Sequence, residues 1–276
     1  MRIDKAEIEK RAIEERKNIQ TYGVKDIFSF VAQKGIHLIR YPFGKDKILG
    51  FSTFFEGKKV IVSNSSEILS REIFTIAHEL GHVIYDLENK TNDVKIDFNM
   101  DDDSEYIAEN ISEKRAFYFA KWFLMPEEEL RKYIKYELKK KYQELNALDV
   151  VRMQLEFMVS FSALVVRLYE LGIISLNHKS NLFDKRDELT SRALFKKLDA
   201  NESLLKAAEV VEVPASYLEY VTSNYENEYI PYTSLEKAFS LIGIDPLIFK
   251  KEEQKKIEDQ FDIEDIFQEF EEWMHQ

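Results

Sequence analysis

Residues 78–82 read His-Glu-Leu-Gly-His. Positions four apart share one face of a helix. On a helix, His78 and His82 therefore present both imidazoles to one divalent ion, at the 2.0–2.1 Å or so that zinc takes from histidine nitrogen. Glu79 sits about 100° around the axis from His78. It neighbours the ion without ligating it and is suited to hold a bound water. This combination is the signature of metal-assisted hydrolysis. A catalytic zinc needs a third protein ligand and an open position. The longer pattern, with a glycine and a third histidine downstream, fails because Tyr85 and Glu88 occupy those places. The third ligand must come from elsewhere. Glu113 lies three residues before Ala116, on the apolar face of a later segment with Phe117, Ala120 and Leu124. A carboxylate aligned with a buried face needs a partner. Spacing alone also allows Glu105 and Glu109, and Glu88 is a further acid within reach of the motif.

These side chains need elements to carry them. Residues 70–86 are predicted to form a helix, with Ile73, Ile76, Ala77, Leu80 and Ile84 as its buried stripe. Gly81 costs about 1 kcal/mol inside a helix relative to alanine, so another backbone is expected to approach closely there. A second long helix spans 105–125 and stops at Met125-Pro126, joined to the first by a polar, acid-rich connection at 87–104. Upstream, residues 36–40, 49–55 and 60–62 read as three short antiparallel strands, with a turn at 56–59; no strand is expected after Ser65. Residues 4–20 and 25–34 read as helices before them. Pro126 is placed at the start of another helix, with acids at 127–129 and lysines at 139–141. Two helices fill 149–172, broken near Ser160. Residues 175–186 look like a polar loop and a domain boundary. Short helices follow, one started by Pro214 and one capped by Thr233 with Glu236 and ended at Gly243. The fold class is α+β: a small three-strand antiparallel sheet with active-site helices, then a mostly helical C-terminal region. The expected domains are 1–142, a helical unit of degenerate helix-turn-helix character at 143–180, and a helical domain at 181–276.

Composition narrows the function. The 276 residues carry a net charge of −12, which repels DNA and anionic lipid on average. No apolar run approaches the roughly 18 residues of a membrane span, and no export signal is visible. There is no cysteine, which removes thiolate nucleophiles and thiolate zinc fingers and suits a reducing cytoplasm. The helix-turn-helix-like stretch 150–172 offers Arg167 beside Glu170 and no basic cluster, so direct nucleic-acid binding is not expected. The run Asp101-Asp102-Asp103 lacks the alternating ligands and glycine of a calcium loop. Residues 258–274 form an acidic amphipathic tail read as packing onto the C-terminal region. Tyr85, Tyr118 and His178 are open as a second oxyanion donor; nothing in the sequence singles one out.

FTIAHELGH at 74–82, followed by EKRAFYFAKWFLMP at 113–126, resembles the ImmA/IrrE family of metallo-endopeptidases. Glu113, Ala116, Phe119, Ala120, Met125 and Pro126 match that family's second segment position by position. ILGFSTFFEGKKVIVSN at 48–64 is similar to its strand pair, and VSFSALVVRLYELGII at 159–174 to its following helical unit. The resemblance implies a zincin-like domain with His78, His82 and Glu113 as Zn²⁺ ligands and Glu79 as catalytic base. It also implies a protein substrate, a DNA-binding repressor on a mobile element or in a stress response. The residues before the first strand are too few for a fused helix-turn-helix domain, so the repressor would be a separate protein. The alternative is a non-catalytic binding protein on the same scaffold that sequesters a repressor or antitoxin.

Overall fold

β-Branched and aromatic residues at period two build three strands, β1 (His37–Tyr41), β2 (Gly50–Phe55) and β3 (Lys58–Asn64). They are seen in a computed structural model that describes residues 3–45, 47–55, 57–87, 95–97 and 110–245. Glu88, Glu105, Glu109, the Asp101–Asp103 run and the 258–274 tail lie outside the described residues, as does most of the 87–104 connection. β2 and β3 form an antiparallel hairpin through the pair Phe55↔Lys58. β1 pairs with β3 in parallel, from His37↔Val60 to Tyr41↔Asn64, so the sheet is mixed rather than antiparallel. The reason lies in the loop after β1, which crosses the end of β3 instead of turning back. Asn64 pins that loop: its Nδ2 donates to the carbonyls of Gly44 and Ile48 at 2.8 and 2.9 Å, and its Oδ1 accepts from the Phe43 amide at 3.1 Å. A fourth short strand, β4 (Lys95–Asp97), was not expected. It pairs antiparallel with Gly50–Ser52 and gives the order β1-β3-β2-β4.

Two helices precede the sheet, α1 (Lys5–Glu15) and α2 (Ile27–Gln33), and α3 (Leu69–Tyr85) follows it. Asp4 caps α1 by accepting from the amides of Ala6 and Glu7. α3 lies across β2 and β3 and is buried on every side from Thr75 to Val83. Such a helix is the centre of a domain, not an amphipathic surface element. α4 (Ile111–Leu124) packs against both α3 and α1. At the α3–α4 crossing a Cβ on Gly81 would lie 2.9 Å from the Ala116 Cα, which is the close approach its position called for.

The chain divides into two compact units, residues 1–212 and 213–276. The first continues through α5 (Glu127–Tyr133), which passes into a π turn at Ile134–Leu138, shorter than the helix read to Lys141 because Lys139 turns left-handed. α6 (Ala147–Phe157) and α7 (Phe161–Glu170) follow. Arg167 is not available to phosphate: its Nε donates to the Met125 carbonyl at 3.2 Å and its guanidinium stacks 3.8 Å from the Trp122 ring. Residues 175–186, read as a loop, belong instead to α8 (Leu176–Leu189), capped by Ser175. The helix buries a single residue, Leu182, so it carries no apolar stripe for a period search to find. With α9 (Ser191–Lys197) it extends the first core through Leu182, Leu194 and Phe195, and the boundaries expected at 142 and 180 fall inside this unit.

Residues 206–212 then run back to the sheet. Arg40 and Glu212 exchange backbone hydrogen bonds of 2.9 Å on the outer edge of β1, and the Leu69 amide at the start of α3 donates to the Lys206 carbonyl at 2.9 Å. Arg40 is buried, with Nε and Nη2 on the Glu72 carboxylate at 2.8 and 2.9 Å and Nη1 on Glu212 at 2.9 Å. Ser63 Oγ donates to the same Glu72 at 2.9 Å. This cluster ties β1, β3 and α3 together, with the buried Glu72 carboxylate met by Arg40 and by the Ser63 hydroxyl. The second unit contains α10 (Ala215–Glu226) and α11 (Tyr232–Ser240) around Tyr225, Tyr232, Leu235 and Phe239. Pro214 and Pro231 occupy the two N-cap positions, so Thr233 and Glu236 lie inside α11 and form no capping box. Among the described residues, no helix is long and apolar enough to cross a membrane.

The Gly81 contact is with backbone, which cannot swing away. Gly81→Val is expected to lower the unfolding free energy by about 1–3 kcal/mol through overpacking, measured by urea titration. Unchanged stability would show that the two helices have slack at this crossing.

Candidate metal centre

α3 carries His78 and His82 one turn apart, and the Gly81–Ala116 contact brings in the first turn of α4. Asn110 starts that turn, its side chain accepting from the amides of Ser112 and Glu113. The result is a triangle of donor atoms. His78 Nε2 and His82 Nε2 are each 3.1 Å from Glu113 Oε2 and 3.1 Å from one another. All three residues are about 99% buried. Donors held 2.0–2.1 Å from a tetrahedral zinc stand about 3.3–3.4 Å apart, so the spacing fits such an ion. Two further observations agree. Glu113 Oε1 is buried with no hydrogen-bond partner among the described residues. Two imidazole nitrogens facing one carboxylate oxygen also repel unless a proton or a metal lies between them. His78, His82 and Glu113 form the one group of potential metal ligands found among the described residues.

Glu79, fully buried, points toward the sheet: a Cβ on Gly50 would stand 3.7 Å from Glu79 Cγ and 2.6 Å from Thr75 Cγ2. Glycine at 50 thus lets β2 pass directly over the active helix. β4 pairs over Gly50–Ser52, so this stretch of the β2 edge is already taken.

Sequence reasoning missed the shell behind His82. Its Nδ1 lies 2.6 Å from Asp86 Oδ2, which also accepts from Ser112 Oγ, while Arg115 Nη2 donates to Asp86 Oδ1. Asp86 is one turn beyond His82 on α3, and Ser112 and Arg115 flank Glu113 on α4. The i, i+4 spacing of His82 and Asp86 was the available signal. Of the three open oxyanion candidates, His178 donates from Nε2 to the Leu145 carbonyl at 2.7 Å. The Tyr118 ring receives Lys5 Nζ, and the Tyr85 ring lies under Arg115. None of these contacts is with the donor triangle.

Burial opposes charge on His82, but the bonds to Asp86 and Glu113 outweigh it and push the imidazole up from 6.5 to about 10. Burial likewise opposes charge on Glu113, and hydrogen bonds from His78 and His82 overcome it, holding the carboxyl well below its ordinary range.

The family described as Peptidase_M78, the IrrE N-terminal-like domain, matches residues 31–169, half of the chain. The chain belongs to this family, and the matched span holds the sheet, α3 and α4. The fold and site thereby define a metallopeptidase-type domain. No curated protein matches the chain.

Without metal, the His82 cation and Glu113 anion pair at neutral pH. A raised histidine pKa stabilises fully below its unfolded value and that contribution is lost as pH rises through the folded value. The metal-free chain is therefore expected to lose stability from pH 6.5 to about 10, read from urea midpoints, and His82→Gln to flatten that slope. An equal slope in the variant would remove His82 as its source. Glu113→Ala is expected to abolish stoichiometric zinc binding, measured by elemental analysis; full zinc content would move the third ligand to another acid.

Proposed function

We propose that the chain is a zinc-dependent, site-specific endopeptidase that cleaves a regulatory protein, a DNA-binding repressor encoded separately. The observation that supports it best is the meeting of His78, His82 and Glu113 in one buried triangle, with Glu79 on the next position of the same helix. Bound zinc would supply a Lewis acid that polarises the scissile carbonyl and lowers the pKa of water from about 15.7 toward 7. The protein's own groups do the rest. Glu79 accepts the proton of the attacking water and returns it to the leaving amine. Its burial excludes competing solvent, and the carboxylate is held on a helix fixed from both sides. The substrate adds in extended form beside β2 beyond the Gly50–Ser52 stretch that β4 pairs, exchanging backbone hydrogen bonds. A net charge of −12 favours a basic protein over nucleic acid as the partner. The absence of cysteine fits a cytoplasmic setting.

Glu79→Gln keeps the shape and removes the base. It is expected to retain zinc and to cut a candidate repressor about 10²–10⁴-fold more slowly, followed by mass spectrometry with and without chelator. Wild-type rates from the purified variant would refute the role of Glu79. Chelator-resistant cleavage would refute the dependence on metal.

A further inference from the structure

The contacts behind His82 carry a role beyond that proposal, and rest on it for the presence of a metal. Asp86 Oδ2 takes His82 Nδ1 at 2.6 Å and Ser112 Oγ, and its Oδ1 takes Arg115 Nη2. A carboxylate that accepts from three donors requires the proton of neutral His82 to sit on Nδ1. The lone pair is then on Nε2, the nitrogen that faces Glu113 Oε2 at 3.1 Å. Asp86 is itself held. It is the C-cap residue of α3, and both clamping groups come from the N-terminal end of α4. One turn of α4 thus delivers a ligand, Glu113, and on either side of it the two groups that aim the carboxylate at a second ligand.

We infer that Asp86, clamped by Ser112 and Arg115, is a positioning residue that fixes the tautomer and angle of His82 for metal binding. Arg115 acts through Asp86, because its guanidinium reaches that carboxylate and the ring of Tyr85 rather than the donor triangle. Outer-shell partners of this kind support affinity by about 10–100-fold.

Zinc affinity, measured by chelator competition on the metal-free full chain, tests this without any substrate. Asp86→Ala is expected to bind zinc about 10–100-fold more weakly with wild-type helical content. Arg115→Gln should weaken it less, and the double variant should match Asp86→Ala alone, because the two act in series. Asp86→Glu, which keeps the carboxylate, should recover part of the loss. Nitrogen-15 NMR of the zinc-loaded wild type should show His82 protonated at Nδ1 and bound through Nε2, a readout that does not depend on any variant folding. Affinity of Asp86→Ala within twofold of wild type, additive losses in the double variant, or metal on Nδ1 would each overturn the inference. Should the wild type bind no zinc, the metal reading itself fails instead, so the two failures are distinguishable.

Discussion

The close passage of α3 over α4 at Gly81 and Ala116 is the constraint on which the site depends. A side chain at 81 would meet backbone at 2.9 Å, so only glycine permits the approach. Glu113 lies three residues before Ala116, beside that contact, and its Oε2 stands 3.1 Å from both imidazole Nε2 atoms. The loss of helix propensity at Gly81 and the convergence of the three donors are thus one feature seen at two scales.

The site gathers charge in a place that disfavours it. Four ionisable side chains, His78, Glu79, His82 and Glu113, are essentially removed from solvent. Burying an unpaired charge costs far more than folding can spare. The chain meets this by arranging opposite charges in sequence: Arg115 against Asp86, Asp86 against His82, His82 against Glu113. A proton completes the series in the metal-free chain, and a divalent cation can take that proton's place. The upward shift of His82 and the downward shift of Glu113 are two views of this arrangement.

The sheet serves the same end. Gly50 lets β2 lie on Thr75 and Glu79, and Arg40 with Ser63 holds Glu72 from the strands below. Glu72 sits six residues before His78, so α3 is fastened upstream to the sheet and downstream to α4. Residues 206–212 cover the outer edge of β1 at Arg40 and fasten the first residue of α3. Edge coverage of this kind prevents unwanted strand pairing, and here it also steadies the helix that carries the ligands.

Local rules made much of this legible. The i, i+4 histidines, the apolar stripe of α3, the hairpin of β2 and β3, and Glu113 on the apolar face of α4 are all short-range patterns, and a period or a spacing within one element determines each. The mixed sheet was not legible, because strand order depends on where a loop travels and Asn64 settles that through contacts 16 to 20 residues away. α8 escaped notice because it buries only one residue. Asp86, Ser112 and Arg115 look like ordinary surface charges and hydroxyls until two helices cross. The sequence by itself determined which side chains could bind a metal and on which elements they ride. Tertiary structure decided that they meet, and which carboxylate stands behind His82, because contacts between elements arise from packing distances that no single stretch of chain encodes.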